Sequence, residues 1–99
     1  MDIIEILKTL PFPVSHNEFS KPTPAPCMVY VDGGSAHIHA DSINAIDEYM
    51  PSLELYCRPE DEESPRILEE LLKNNNITYT RSSTWVSSRK ETEYIYELD

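Results

Sequence analysis

Residues 52–74 read SLELYCRPEDEESPRILEELLKN, and the spacing of their apolar side chains changes once along the way. From Ser52 to Arg58 apolar and polar residues alternate, a period of two that is typical of a strand with one buried face. After the acidic stretch the apolar residues return at helical spacing and form one stripe. That stripe consists of Ile67, Leu68, Leu71 and Leu72. The change of period predicts a strand, a loop and then a helix.

The predicted helix covers residues 65–74, and both of its ends carry suitable residues. Ser64 and Pro65 suit the N-cap and the first helical position, where the missing N–H of proline costs nothing. The acidic loop Glu60–Glu63 precedes them and suits the positive end of the helix dipole. An asparagine run, Asn74–Asn76, ends the helix, because asparagine tolerates the left-handed conformation of a C-cap.

Extended patterning returns after this helix. Ile77–Thr80 and Glu93–Leu98 are predicted strands, and the turn of a final hairpin is predicted at Ser87–Lys90. The second half of the chain therefore follows the order strand, helix, strand, strand. This order is typical of a small α+β module with a helix laid on one face of a sheet.

The first half begins with a predicted helix over residues 2–10. Asp2 caps this helix, and Glu5 stands three residues later, where a capping box needs its acid. Pro11 prevents the helix from continuing. The stretch Ser15–Phe19 then suits a short edge strand.

A central strand is predicted at Cys27–Val31, where the residues are apolar on both faces. A tight turn is predicted at Asp32–Ser35, because its paired glycines accept the positive φ of hairpin turns. A short strand returns over residues 36–40. The long strand ending at Cys57 is predicted to begin at Asp47, which places Pro51 at a bulge or a sheet edge.

These elements together predict an α+β fold. We expect a single small domain over residues 1–99, with a mostly antiparallel β-sheet and two helices packed on one face. A chain of 99 residues buries a modest core, which neighbouring subunits can extend.

Eighteen acidic residues stand against eight basic ones, which gives a net charge of −10. This charge argues against a surface that grips phosphate groups. It also opposes non-specific self-association, so an oligomer needs defined apolar contacts. The first residues lack the basic region of a signal peptide, and no apolar run approaches the ~20 residues of a membrane span. We expect a soluble protein of a reducing cytoplasm, in which Cys27 and Cys57 stay unpaired.

Residues suited to catalysis or metal binding are sparse. His37 and His39 leave the same face of a predicted strand, a spacing that can seat a metal, but no third ligand has diagnostic spacing. Solvated histidines are the other interpretation. The loop Glu60–Glu63 lacks the residue order of a calcium loop and is predicted to be solvated. No nucleophile stands beside a base. We therefore predict no enzyme activity, no cofactor and no bound metal.

A proline-rich stretch is one candidate contact surface. Pro22, Pro24 and Pro26 occupy every second position and hold an extended loop that is ordered in advance. This loop is either a stiff surface connector or a segment that packs on a neighbouring subunit.

The aromatic residues of the final hairpin are the other candidate. Trp85 is either a core residue or an interface anchor, since tryptophan gives much contact area at low entropic cost. Tyr94 and Tyr96 share one face of the last strand and Ile95 takes the other, so this strand is expected to be covered on both sides. The candidate interface residues are Pro22, Pro24, Pro26, Trp85, Tyr94 and Tyr96.

The order of several short stretches resembles one family. The chain is similar to small proteins encoded in the head–tail gene region of long-tailed bacteriophages, often labelled minor capsid proteins, and to tail terminators (tail-completion proteins). The opening Leu10–Phe19, followed by a proline-rich stretch, fits the same pattern. The other stretches are Val29–Ser35, Leu53–Cys57, Arg66–Leu72, Ile77–Tyr79 and Glu91–Leu98.

The resemblance implies a structural virion protein in the tail or neck, assembled in the cytoplasm of the host bacterium. Its copies would form a hexameric ring that caps the tail tube and helps to join tail to head. The implied partners are further copies of the chain, the tail-tube protein and the head-completion or connector proteins. DNA would pass through the lumen without specific binding, and no membrane is involved. The family is structural, so it supplies no catalytic residue.

A second hypothesis comes from a different class of protein. A small acidic binding or inhibitor protein encoded by a phage can mimic nucleic acid, and the charge and size of this chain suit that role too. Size separates the two hypotheses. A ring elutes near the mass of six chains or joins tails, whereas a mimic is a monomer or dimer that competes with DNA.

Overall fold

The computed structural model describes residues 3–32 and 50–98. Within these residues, two helices and five strands follow one another. They are α1 (Ile3–Leu7), β1 (Val14–His16), β2 (Cys27–Val31), β3 (Ser52–Cys57), α2 (Glu63–Asn74), β4 (Tyr79–Val86) and β5 (Glu91–Leu98). The predicted α+β class is confirmed. The predicted return strand over residues 36–40 lies outside the described residues, as do His37, His39 and the glycines of the predicted turn.

The five strands form one sheet in the order β1-β2-β3-β5-β4. Three neighbouring pairs are antiparallel, but β1 and β2 are parallel, with Val14 beside Met28. The sheet is therefore mixed, and because three of its four pairs are antiparallel, the expectation of a mostly antiparallel sheet is confirmed. The parallel pair arises from the proline-rich connection, which carries the chain back over the sheet before β2 begins. A tight turn would have made the pair antiparallel.

Strand β3 shows the predicted alternation most clearly. Leu53, Leu55 and Cys57 are fully buried, while the residues between them are half-buried. The strand begins at Ser52, so the prediction of a bulge or edge at Pro51 is wrong. Pro51 lies buried just before the ladder starts, where its missing N–H interrupts no pairing with a neighbouring strand.

The core lies between this sheet face and the helices. Leu68 and Leu72 of α2 are fully buried, and Ile67 and Leu71 pack at the margin, so the predicted stripe is confirmed. Leu7 of α1 belongs to the same apolar cluster, which explains how both helices come to share the one core. Other members of the cluster include Ile3, Leu10, Phe12, Met28, Leu53, Leu55, Ile77, Tyr96 and Leu98.

Helix α2 begins two residues earlier than predicted, because its start is capped by Asp61 and not by Ser64. The Asp61 carboxylate accepts hydrogen bonds from the backbone N–H groups of Glu63 and Ser64, both at 3.0 Å, and from the Ser64 hydroxyl at 2.7 Å. Burial alone would raise the pKa of Asp61, but these hydrogen bonds bring it below its ordinary value overall. The loop Glu60–Glu63 was predicted to be solvated, but its Asp61 is therefore hydrogen-bonded to the start of the helix.

The remaining helix ends follow the proline and asparagine signals. α1 ends at Leu7, earlier than the predicted residue 10, and the chain runs on to Pro11 in tighter turns, in which the N–H groups of Thr9 and Leu10 bond the carbonyl oxygens three residues before them. Asn75 is the C-cap of α2, and Asn76 adopts a left-handed φ of 58°. The hairpin connection between β4 and β5 falls at the predicted residues 87–90.

Candidate functional site

Strand β4 lies at one edge of the sheet, and its residues are far more exposed than those of the other strands. Both its ends, Tyr79 and Val86, are half-buried, and the six residues between them are exposed. Its register with β5 sets Arg81 opposite Tyr96, Ser83 opposite Tyr94 and Trp85 opposite Thr92. These odd-numbered side chains therefore stand on the same sheet face as the helices.

Trp85 is the large hydrophobic residue that stands exposed in the described part of the chain. Its relative exposure is 54%, and it belongs neither to the core cluster nor to the residues packed on that cluster. The interpretation of Trp85 as a core residue is therefore wrong. An exposed tryptophan on an edge strand offers a large apolar contact area to another molecule.

A groove of about 440 Å³ lies between α2 and the hairpin, on the same sheet face. Glu69 on its helix side accepts hydrogen bonds from Arg81 at 2.7 Å and from the Tyr96 hydroxyl at 2.8 Å. The Arg81 guanidinium also lies 5.7 Å from the centre of the Tyr94 ring. This network ties the helix to the edge strand and holds Arg81 beside it. The groove is lined by Glu62, Pro65, Arg66, Glu69, Glu70, Lys73, Tyr79, Arg81 and Tyr94.

Tyr96 does not form part of an exposed surface. Its side chain is fully buried, and burial, followed by the hydrogen bond to Glu69, raises the pKa of its hydroxyl. Tyr96 therefore has no surface to offer to a partner, which corrects its place among the interface candidates. Tyr94 is half-buried and lies two residues along the same face.

The charge around β4 differs from that of the rest of the chain. Residues 71–90 contain no acid at all, and they carry Lys73, Arg81, Arg89 and Lys90. The remainder of the chain holds all eighteen acids and only the other four basic residues. Two of the four basic residues in the run are paired with acids from outside it, Arg81 with Glu69 at 2.7 Å and Arg89 with Glu91 at 2.6 Å. This acid-free run is visible in the sequence, but the total charge conceals it.

The proline-rich segment lies against the opposite face of the sheet. Arg89, from the hairpin connection, donates to the Thr23 carbonyl oxygen at 3.2 Å and pairs with Glu91 at 2.6 Å. Its guanidinium also lies 4.9 Å from the centre of the Tyr56 ring. A single arginine thus connects the segment, the sheet and the hairpin.

The segment that holds the three candidate prolines therefore lies on the sheet face opposite the aromatic candidates. Pro22 and Pro24 are exposed and Pro26 is half-buried, on the face away from Trp85. Sequence reasoning missed Arg89, whose partner Thr23 is 66 positions away in the chain. No local pattern reports a contact over that distance.

Beside this segment the same sheet face is acidic. Glu54 and Glu93 both neighbour Tyr56, whose hydroxyl lies 3.4 Å from the Glu54 carboxylate. Partial burial, and then the nearby Glu54 charge, raise the pKa of Glu93. The two carboxylates repel each other, so a cation or a proton is favoured between them.

The described residues contain no group of three or more histidine, cysteine, aspartate or glutamate side chains suited to holding a metal ion. Cys27 and Cys57 are buried and unpaired. Burial raises the pKa of both thiols, for Cys57 to about 12, so neither is a ready thiolate at neutral pH. In the same part of the chain no helix is long and apolar enough to cross a membrane.

The chain matches no protein-family model, no curated protein and no solved structure. The resemblance to tail terminators therefore stays a prediction, together with the ring, the partners and the virion location that it implies.

Proposed function

We propose that this chain is a structural protein of a long-tailed bacteriophage, one subunit of a ring that caps the tail tube and helps to join tail to head. The observation that supports this function best is the exposed edge strand β4 with its half-exposed Trp85. An edge of this kind is suited to assembly, because strand pairing and an aromatic anchor supply both direction and contact area.

The charge of the chain suits the same role. A ring built from subunits of net charge −10 presents a lumen that repels DNA and lets it slide. The acidic sheet face around Glu54 and Glu93 is one surface that can line such a lumen. In this arrangement the edge strand β4 faces neighbouring proteins and the acidic face is turned to DNA.

The test is genetic complementation. A phage from which this gene has been deleted is supplied with the wild-type chain, with Trp85→Asp, or with Ser88→Asp, which adds the same charge in the hairpin connection outside β4. The proposal predicts that wild type and Ser88→Asp restore infectious particles, while Trp85→Asp folds normally but leaves tails unjoined. Infectious particles in the absence of the chain would overturn the proposal.

A second candidate function is mimicry of nucleic acid, and the acidic face around Glu54 and Glu93 favours it. On this alternative the chain is a monomer or dimer that binds a DNA-binding protein in competition with DNA. Displacement of DNA from host proteins by the purified chain, lost in a Glu54→Gln/Glu93→Gln variant, would support mimicry over the ring.

A further inference from the structure

Two glutamates meet on the outer face of the sheet, which is the face away from the helices. Tyr56 of β3 stands directly opposite Glu93 of β5, and Glu54 lies two residues before Tyr56 on the same face. Diagonal neighbours on adjacent strands are close enough for long side chains to touch. All three residues are half-buried, so water and salt screen their charges less than on an open surface. The register of the sheet therefore holds the two carboxyl groups together.

The Tyr56 hydroxyl is the hydrogen-bond donor that stands between these carboxyl groups. It lies 3.4 Å from the Glu54 carboxylate, and it interacts with the Glu93 carboxyl group as well. Burial, followed by the Glu93 charge, raises the pKa of this hydroxyl, so it keeps its hydrogen at neutral pH. A phenol has one hydrogen to donate, and two ionised carboxylates have none. When both glutamates are ionised, Tyr56 can therefore serve only one of them.

The nearest charged side chains do not neutralise the pair. Arg89 lies over the Tyr56 ring, but its guanidinium is already paired with Glu91 at 2.6 Å. Among the described residues, neither Glu54 nor Glu93 forms an ion pair with a lysine or an arginine.

The other groups on this face leave the balance unchanged. The exposed charged residues around the pair, of both signs, are Glu18 and Lys21 from the segment beside Tyr56, Arg58 after β3, and Glu97 of β5. Strands β2 and β4 add uncharged side chains to the face, and these are Cys27, Val29, Val31, Thr80, Ser82, Thr84 and Val86. The repulsion between Glu54 and Glu93 is therefore relieved within the pair itself.

A shared proton relieves it in two ways. It removes one negative charge, and it supplies the second hydrogen-bond donor that the two carboxyl groups lack. We propose that Glu54, Glu93 and Tyr56 form a pH-sensitive clasp between β3 and β5. In mild acid the two carboxyl groups hold one proton in common and join the strands, and once that proton is released they repel each other. This inference goes beyond the tail function and does not rest on it.

The direction of the pH effect follows from Glu93. Partial burial, followed by the Glu54 charge, raises the pKa of Glu93 above its ordinary value of 4.5. The stabilisation is therefore full below that pH and is lost as pH rises through the folded pKa. Asp61 has the opposite dependence, because its folded pKa is lowered and its contribution is lost in stronger acid. The clasp thus lowers stability on the neutral side, and the helix cap lowers it on the acid side.

The direct test follows the carboxyl carbon signals of Glu54 and Glu93 by NMR in the wild-type chain, from about pH 3 to about pH 8. We expect both signals to move in the same two steps, because interacting sites titrate as a pair. In Glu54→Gln, Glu93 should titrate in a single step at lower pH. In Tyr56→Phe the upper step should move to higher pH, because the lost hydrogen bond favours the ionised carboxylate.

Thermal unfolding measures the same effect as stability. Glu93→Gln removes the repulsion and keeps a donor in place, so its melting temperature should exceed that of wild type by about 4 °C at neutral pH. The difference should shrink at about pH 4, where the wild-type pair holds its proton. Glu60→Gln removes the same charge from the exposed loop and should change little at either pH.

Two results would overturn the inference. One is that Glu54 and Glu93 titrate independently of each other, each in the range of an ordinary glutamate. The other is a Glu93→Gln variant that gains nothing at neutral pH, or no more than Glu60→Gln does. The titration uses the wild-type chain, so it gives an answer even where a variant fails to fold. Neither measurement needs a phage or a ring, so the clasp and the tail function fail separately.

Discussion

Strands β3 and β4 flank the same central strand, β5, and their environments are opposite. Leu55 of β3 and Ser83 of β4 both lie beside Tyr94, on the same face of the sheet. Leu55 is fully buried, whereas Ser83 is exposed. Pairing in the sheet therefore does not decide burial. The layer above the strand does, and α2 covers β3 but leaves β4 open towards the hairpin end.

The largest effect on stability is expected when an aspartate is placed beside Tyr94, first in β3 and then, in a separate variant, in β4. Leu55→Asp buries an unpaired carboxylate and should cost about 4 kcal/mol or more of unfolding free energy, enough to unfold the domain. Ser83→Asp, on the other side, should change that free energy by about 0.5 kcal/mol or less. Denaturant titration followed by circular dichroism measures both. Equal losses would mean that β4 is as buried as β3.

A smaller loss of unfolding free energy is expected at the start of α2, the helix that covers β3 and leaves β4 open. Asp61→Ala removes the acceptor of three hydrogen bonds and should cost about 1–2 kcal/mol. The wild-type contribution depends on pH. Because the folded pKa of Asp61 is below its ordinary value of 3.8, the stabilisation is full above that pH and is lost as pH falls through the folded pKa.

The stabilities of wild type and Asp61→Ala should therefore converge in acid. Melting temperatures measured from pH 7 down to pH 2 should differ most at neutral pH and least at the acid end. A constant difference across this range would show that the carboxylate charge is not what caps α2. Glu60→Ala, in the same exposed loop, is the matched control and should change little.

The proline-rich segment gives a test on the other sheet face. Arg89→Ala removes the donor to Thr23 and the partner of Glu91, and we expect a loss of about 1 kcal/mol together with faster amide exchange in residues 20–26. Lys90→Ala, the next residue, serves as the control. Unchanged exchange in the segment of Arg89→Ala would mean that the prolines alone hold it in place.

The smallest effect on stability is expected at Trp85. Trp85→Ala should change the unfolding free energy by about 0.5 kcal/mol or less, because the side chain is already half exposed to water. Its intrinsic fluorescence in the wild type should be that of a solvated indole and should respond to external quencher. A blue-shifted emission spectrum that resists the quencher would mean that Trp85 is buried.

Much of this fold follows from local patterns in the sequence. The helical stripe that contains Leu68 and Leu72, the alternation of Leu53 and Leu55, and the hairpin connection at 87–90 each depend on neighbours a few positions apart. Periodicity and turn chemistry report such features directly. The parallel pairing of β1 with β2 does not follow from them, since a strand pattern does not identify its neighbour in the sheet.

The candidate site was predicted only in part, for a related reason. The sequence leaves two interpretations of Trp85 open, and only the extent of α2 over the sheet decides between them. Tyr96 has the same aromatic character, but it lies under the helix and bonds Glu69. The acid-free run 71–90 is visible in the sequence, although the net charge of −10 gives no sign of it.

The central claim is that β4 is the surface through which this protein contacts a partner, and amide hydrogen exchange tests it most directly. Exchange is measured residue by residue in the isolated chain and again in the chain recovered within assembled particles. The account predicts that outward-pointing amides of β4, between Thr80 and Trp85, exchange fast in isolation and become protected in the particle. Amides of β3 should be protected in both states. Fast exchange throughout β4 in the particle, with new protection elsewhere, would contradict the account.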